Sequence, residues 1–282
     1  DCVVRSATTR RAPSLAGLAG EEESIKFGIV GGIAHPQVDM SRVNYDKEPW
    51  TNDPTQQISY VSCHDDMCLV DRLKASVPGL RDKNRSASDR TAELIRLDLL
   101  GQTAVFTSQG VPFFLAGEEM LRDKKGEHNS FSSPDSINEF NWNNLKQYPQ
   151  VFEYYRNLIQ LRKNHPAFRL SKADAVRKHL EFLPAVCPTA NAETANAETA
   201  QQQKEEGCVI AFRLKNLEGI DTWRDIIVIL NANKEAKTIA IPEGEYSVAC
   251  SNGVINEDGI GMPLKGKEAT VDAQSALILF QK

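Results

Sequence analysis

An α/β portion followed by an all-β portion is the architecture that the sequence predicts. Two observations carry it. A strand, a long helix and a second strand follow one another between Ile58 and Gly117, within about 60 residues. After Phe168 the pattern changes to short β-branched runs separated by turn residues. The first reads as a βαβ unit with parallel strands, the second as an antiparallel β-sandwich.

The elements follow in order. The first twenty residues carry Arg, Ser, Thr, Ala and Gly without a period and are expected to be poorly ordered. Glu23 to Ser41 reads as irregular covering, interrupted by Gly31-Gly32, and Asn44 to Gln57 is turn-rich, with Pro49 and Pro54. Ile58 to Ser62 is a β-prone run consistent with a buried strand. A helix is expected after the acids at 65 and 66, with Leu69, Val70 and Leu73 on one face. Ser86 or Ser88 caps a long helix from about Asp89 to Ser108, apolar on more than one face. Gly110 ends it, and Val111 to Gly117 gives the second buried strand. Arg122 to Trp142 reads as a long polar loop, of the kind that is usually functional or disordered. Its aromatic residues Phe131, Phe140 and Trp142 favour function. Tyr148 to Lys163 is an amphipathic helix stopped by Pro166. Pro188 to Glu206, with NAETA twice in tandem, reads as a mobile surface insertion. Beyond it lie the strand candidates CVIAFRL, DIIVILNAN, TIAIP, YSVAC and SALILF.

Composition narrows the function class. The chain has 282 residues, 41% apolar and 25% charged, which is ordinary for a globular protein with a sizeable core. A net charge of -5 with scattered Lys and Arg argues against nucleic acid or an anionic membrane as partner. No apolar run approaches the roughly 20 residues that span a bilayer. The opening has neither Met nor the pattern of a signal peptide, and suggests a fragment or a processed product. Six cysteines without a CxxC pair read as small buried residues, and the spacing of Cys63 and Cys68 is poor for zinc. This slightly favours a reducing compartment such as the cytoplasm, though the even count also permits disulfides. A periplasmic or secreted parent and the oligomeric state stay open.

Candidate chemistry sits at the strand ends, where α/β folds bind ligands. His64, Asp65 and Asp66 follow the first strand, and Glu118 and Glu119 follow the second. The bland alternatives are an Asp cap for the following helix and a solvated pair of acids at a helix start. Asp135, Asn138 and Trp142 suit sugar hydroxyls and pyranose faces, although Asp135 could equally cap a turn. His35 and His165 each stand alone and read as structural. There is no P-loop, GxGxxG, HExxH or GxSxG motif.

The stretches ISYVSCHDD, LLGQTAVFTSQGVPFFLAGEEMLRDKKGEHNSFSSPDSINEFNW and YYRNLIQLRKNHPAF resemble, in order and spacing, the late part of pullulanase-type α-glucan debranching enzymes of the α-amylase superfamily. The likeness is strong from Lys26 to Phe168 and looser beyond. It implies the late part of a TIM (β/α)8 barrel at 57–170, followed by a β-sandwich at 171–282 with the insertion at 188–206, and leaves 1–56 as an irregular N-terminal segment. On this likeness Asp65 matches the transition-state stabiliser, and His64 matches the neighbour that bonds sugar hydroxyls. Asp66 stands where many relatives have Asn. Asp135 and Asn138 fall in the loop lining the donor side of the cleft. The implied ligand is an α-glucan, with calcium allowed by the family but no ligand set visible.

The sequence departs from that family upstream. Residues 1–57 hold no RxD strand-end motif and no GE(G)W-like motif, so the nucleophile and the acid/base are missing. Retaining hydrolysis needs both, about 5 Å apart. The chain alone is expected to be inactive, and two strands cannot close a barrel. The rival readings are a non-catalytic α-glucan-binding or assembly module and part of an α-1,4-acting amylase relative.

Overall fold

The computed structural model describes residues 20–185 and 207–282. Residues 1–19, the tract at 188–206, Cys2 and Cys187 lie outside the described residues.

The segment read as irregular covering begins with a helix, α1 (Glu22–Ile29). Glu22 and Glu23 lie in its first turn, where the helix dipole favours acids. Ser24, Ile25, Phe27, Gly28 and Ile29 are all buried. Only Glu22 and Lys26 mark its polar side, and eight residues with Gly28, Gly31 and Gly32 among and after them are too few to show a helical period. Strand β1 is short (Ile58–Ser59), and helices α2 (Leu69–Ser76), α3 (Pro78–Arg81) and α4 (Ala87–Thr107) follow. Ser86 caps α4, its Oγ accepting from the Asp89 amide at 3.0 Å. From Leu97 to Thr107 every residue of α4 is buried, as its apolar pattern on several faces requires.

Strand β2 (Val111–Pro112) pairs parallel with β1, with Ile58 opposite Val111 and Ser59 opposite Pro112. The expected parallel pair is therefore present, but each strand is two residues long. It is also not buried on both faces: Ile58 is 54% exposed and Val111 46%. The turn into β2 admits only glycine. Gly110 has φ +97°, and a Cβ there would stand 2.9 Å from the carbonyl oxygens of both Gln57 and Pro54.

The expected long loop contains helix α5 (Asp135–Asn138), and α6 (Asn144–Gln147) leads to α7 (Pro149–Asn164) with Pro149 at its first position. Helix α8 (Ala173–His179) then runs into β3 (Leu180–Leu183), neither of which the sequence pattern revealed.

The remaining strands are β4 (Val209–Leu214), β5 (Asp225–Asn231), β6 (Lys237–Ser251), β7 (Val254–Ile255), β8 (Leu264–Val271) and β9 (Ser275–Gln281). They pair antiparallel in the order β3-β4-β5-β9-β6-β7, with β8 against the first half of β6. The candidates TIAIP and YSVAC are one strand, β6. Its register shifts between Ala240 and Gly244, where Pro242 loses no ladder bond because a bulge needs none. All seven residues of β5 are buried because both faces of the sheet are covered. Ile226, Val228 and Leu230 join Phe212 and Phe280 in the core shared with α4 and α7. Ile227 and Ile229 instead pack with Ile239, Ile241, Ala269 and Val271 of the β6–β8 hairpin. Helices therefore form one of the layers over the β region.

Replacing Gly110 by Ala should cost about 1–3 kcal/mol from backbone strain, with a further loss from the two displaced carbonyls. Gly126 has φ +82° and open space around it, so Gly126→Ala should cost only about 1–2 kcal/mol. Urea denaturation of the two variants checks the ranking.

Candidate functional site

Both strands of the parallel pair deliver polar residues at their carboxyl ends. Val61 and Ser62 are buried, and the chain then surfaces, leaving the His64 and Asp65 side chains 82% and 85% exposed. His64 Nε2 stands 3.6 Å from Asp65 Oδ2. Asp66 takes a left-handed conformation (φ 62°) that turns the chain into α2, and its carboxylate faces Arg72 at 3.8 Å. The capping position of α2 is Cys68, without a side-chain cap. Neither Asp65 nor Asp66 caps that helix, so the bland account of these acids does not hold.

The segment after β2 closes over this turn. The Lys124 amide donates to Asp71 Oδ2 at 2.6 Å, and the Cys68 thiol reaches the same oxygen at 3.1 Å. Burial, followed by the neighbouring Asp71 charge, pushes the Cys68 thiol up to about 12, so it stays protonated. Lys124, itself buried, donates through Nζ to Ser130 Oγ at 2.6 Å. Asn138 donates both amide hydrogens to backbone, to Ser130 O at 2.8 Å and Ser133 O at 3.0 Å. Arg122 lies 4.1 Å over the Phe140 ring and bonds the carbonyls of Ala116 and Asn138.

These contacts frame a cavity of about 190 Å³. His64, Asp65 and Asn138 line it, together with Lys124, His128, Asn129, Ser130 and Phe131. Asp66 and Asp135 do not: Asp66 turns to Arg72, and Asp135 sits exposed in the first turn of α5. Of the aromatic residues of the loop, Phe131 and Trp142 are surface groups, 86% and 66% exposed, whereas Phe140 is half-buried. Phe140 and Trp142 stack at 5.5 Å. Sequence reasoning missed the part of the rim from Lys124 to Ser130. The GEHN run looked like plain loop, and no local signal marks it.

The solvated reading of the two acids at 118 and 119 fails for the first. Gly117, at φ 101°, turns Glu118 inward, where it is 1% exposed and accepts from Ser62, from Gln102 at 2.8 Å and from the Leu115 amide at 3.2 Å. Glu119 merely accepts from the Gly117 amide at 2.8 Å. Asp98 lies near Glu118 and is fully buried. Burial pushes both carboxyls up, to about 8. His35 and His165 are buried and bonded within the fold, to Leu180 O and to Asp221. Cys68, Cys208 and Cys250 are buried free thiols, whereas Cys63 is half-buried beside the site. Among the described residues no group of three or more His, Cys, Asp or Glu could hold a metal ion. No helix among them is long and apolar enough to cross a membrane.

Residues 201–253 match the family described as the pullulanase all-beta domain. The pullulanase of Bacillus subtilis strain 168 is 33% identical over 211 residues, which covers 74% of this chain and 25% of that protein. The chain is similar to pullulanases over most of its length. The solved pullulanase from Bacillus acidopullulyticus has a TM-score of 0.78 at 33% identity, covering 99% of this chain and 29% of its own. The type I pullulanase structure from Bacillus subtilis, complexed with maltose, has a TM-score of 0.78 at 28% identity, covering 100% of this chain and 34% of its own. A variant pullulanase from Paenibacillus barengoltzii, complexed with maltotetraose, has a TM-score of 0.74 at 28% identity, covering 100% and 37%. The chain thus spans between 25% and 37% of the length of these relatives. The fold is mixed α/β with an antiparallel sheet and is pullulanase-like. The family match falls on the β region, where the sequence resemblance was looser.

Asn138→Ala should lower stability by about 1–3 kcal/mol, because it strips donors from two carbonyls that shape the rim. Asp135→Ala should stay within about 0.5 kcal/mol, as an exposed position without such contacts does. Chemical denaturation separates the two.

Proposed function

We propose that the chain is the C-terminal portion of a pullulanase-type debranching glycoside hydrolase acting on α-1,6 linkages of pullulan or branched α-glucan with retention. The observation that carries this reading is the exposed His64–Asp65 pair at the carboxyl end of a parallel strand, opening into a cavity next to the loop from β2. On it, β1 and β2 are late strands of a (β/α)8 barrel over 57–170. Residues 171–282 form the C-terminal β domain, and 1–56 lead into the barrel. The exposed apolar side chains of Ile58, Val111 and Phe113 support further strands lying against this pair.

Asp65 is assigned to stabilising positive charge as the glycosidic bond breaks. A carboxylate beside an oxocarbenium-like centre favours it over the neutral ground state. His64, 3.6 Å away, bonds sugar hydroxyls and orients the ring. Asn138 shapes the rim, whereas Asp66 and Asp135 lie off the cavity and take no part in it. The maltose and maltotetraose held by the related structures make an α-glucan the expected ligand. Asp65 is the one carboxylate among the residues lining the cavity. That supports an inactive chain on its own, and it equally favours the second reading, a non-catalytic glucan-binding module.

Titrating maltotetraose into the chain should show binding that His64→Ala weakens about tenfold, the cost of one hydrogen bond to a sugar. Pullulan should not be cleaved in the same samples. Cleavage would overturn the single-carboxylate account, and a lack of binding would overturn the glucan site. In a complete enzyme containing this chain, Asp65→Ala should cut turnover by about 10²–10³-fold with little loss of fold. Retention of most turnover would remove Asp65 from the proposed role.

A further inference from the structure

Beneath the strand ends lies a polar cluster whose hydrogen bonds do not balance. Asp98 and Gln102 sit one turn apart on α4, both inaccessible. Asp98 Oδ1 accepts from the Tyr155 hydroxyl at 2.9 Å. Gln102 spends its Nε2 on Glu118 at 2.8 Å, which leaves its carbonyl oxygen facing elsewhere. Two buried oxygens then have no donor, Asp98 Oδ2 and Gln102 Oε1. Both are acceptors, so neither satisfies the other unless a proton lies between them.

We infer that Asp98 is a neutral carboxylic acid that donates from Oδ2 to the side-chain carbonyl of Gln102, and that it acts through Gln102 and Glu118 as a positioning residue for the turn carrying His64 and Asp65. One proton removes both unsatisfied acceptors. The donors decide which acid carries it. Burial raises both acids, but Glu118 collects three donors, from Ser62, Gln102 and Leu115, which offset more of that cost, so of the two it is the better placed to carry charge. Asp98 collects one, from Tyr155. The groups facing the pair offer no cation. Tyr155 comes from α7, and Glu119 from the turn after β2. A second buried negative charge beside Glu118 would have nothing to compensate it. Burial acts in the same direction, raising Asp98 from 3.8 to about 8. The resulting relay runs from Tyr155 through Asp98, Gln102 and Glu118 to Ser62, two residues before His64. It holds whatever ligand the cavity takes.

The sign of the pH effect follows from the raised value. The folded chain keeps a proton that the unfolded chain has lost above 3.8, so the contribution of Asp98 to stability is full below that pH and falls until about 8. Each retained proton raises the unfolding constant by up to about tenfold per pH unit in this interval. Asp98→Asn places a permanent N–H donor on the same atom. Urea denaturation of the whole chain should show this variant folded, with a pH slope one proton smaller than wild type, and more stable than wild type at the alkaline end. Asp98→Leu severs the relay and should speed amide exchange at residues 62–66, which Asp98→Asn should leave slow. Equal slopes for wild type and Asp98→Asn would overturn the inference. Should Asp98→Leu fail to fold, that slope comparison decides alone.

Discussion

Two backbone hydrogen bonds align the ends of β1 and β2, and with them the polar surface at that end of the molecule. Val111 donates to Gln57 O at 2.8 Å, and Phe113 donates to Ser59 O at 2.9 Å. So short a pair does not sustain itself in water. Its register is imposed from outside. The Gln109 amide donates to Ile29 O at 2.8 Å, its Nε2 to Ala167 O at 2.9 Å, and its Oε1 accepts from the Leu170 amide at 2.8 Å. One side chain and its backbone thus tie α1, the turn that follows α7 and the start of β2 together. Together with the Ser62–Glu118 and Lys124–Asp71 bonds, that clamp fixes the His64 turn relative to the loop after Gly117.

Charges in the same region are sorted by whether the fold can answer them. Arg162 is buried without an acidic partner, and burial, with Arg169 nearby, lowers it to about 10. Its guanidinium is met by the carbonyls of Phe106 and Ser108 at 2.7 Å each and Gly110 at 2.6 Å. Those carbonyls lie at the C-terminal end of α4, where the helix dipole favours a cation. Asp221 shows the opposite case. Burial works against its charge, yet bonds from His165 and from the Trp223 and Ala167 amides hold it below its ordinary value. Around the cavity, in contrast, His64 and Asp65 lie in water, where a charge needs no internal partner and remains available to a ligand.

What the sequence reveals, and what it hides, follows from the range of the interactions. The caps, the apolar stretch of α4 and the amphipathic α7 are local signals, and they stand where Ser86, Leu97 and Leu158 indicate. The strand ends were legible because apolar runs stop abruptly at His64 and Glu118. The fate of Glu118 was not, since its donors lie 56 and 16 residues away at Ser62 and Gln102. Helix α1 was hidden by its eight-residue length and the glycines in and after it, and β8 by its alternation of Lys, Gly and Glu on an open face. His64, Asp65 and Asn138 are singled out by their place after strands and in the aromatic loop, and all three line the cavity. Asp66 and Asp135 share that neighbourhood in sequence but not the cavity, because a left-handed turn and the first turn of a four-residue helix point them away.

The same end of the molecule presents a polar cavity and, beside it, an apolar surface. Ile58, Val111 and Phe113 lie on the outer side of the β1–β2 pair, at 54%, 46% and 41% exposure. Alternation along a strand means that the opposite residues point inward, and Ser59, at 1%, does so. Three large apolar groups in a row on a sheet face are normally covered. On the reading proposed above, the covering is further parallel strands. Strands added to this pair in the same direction would end at the same level as β1 and β2. Any carboxylates at their ends would then face Asp65 across the cavity. One constraint, the direction of the short pair, therefore decides both which apolar surface needs a partner and where that partner's acids would arrive.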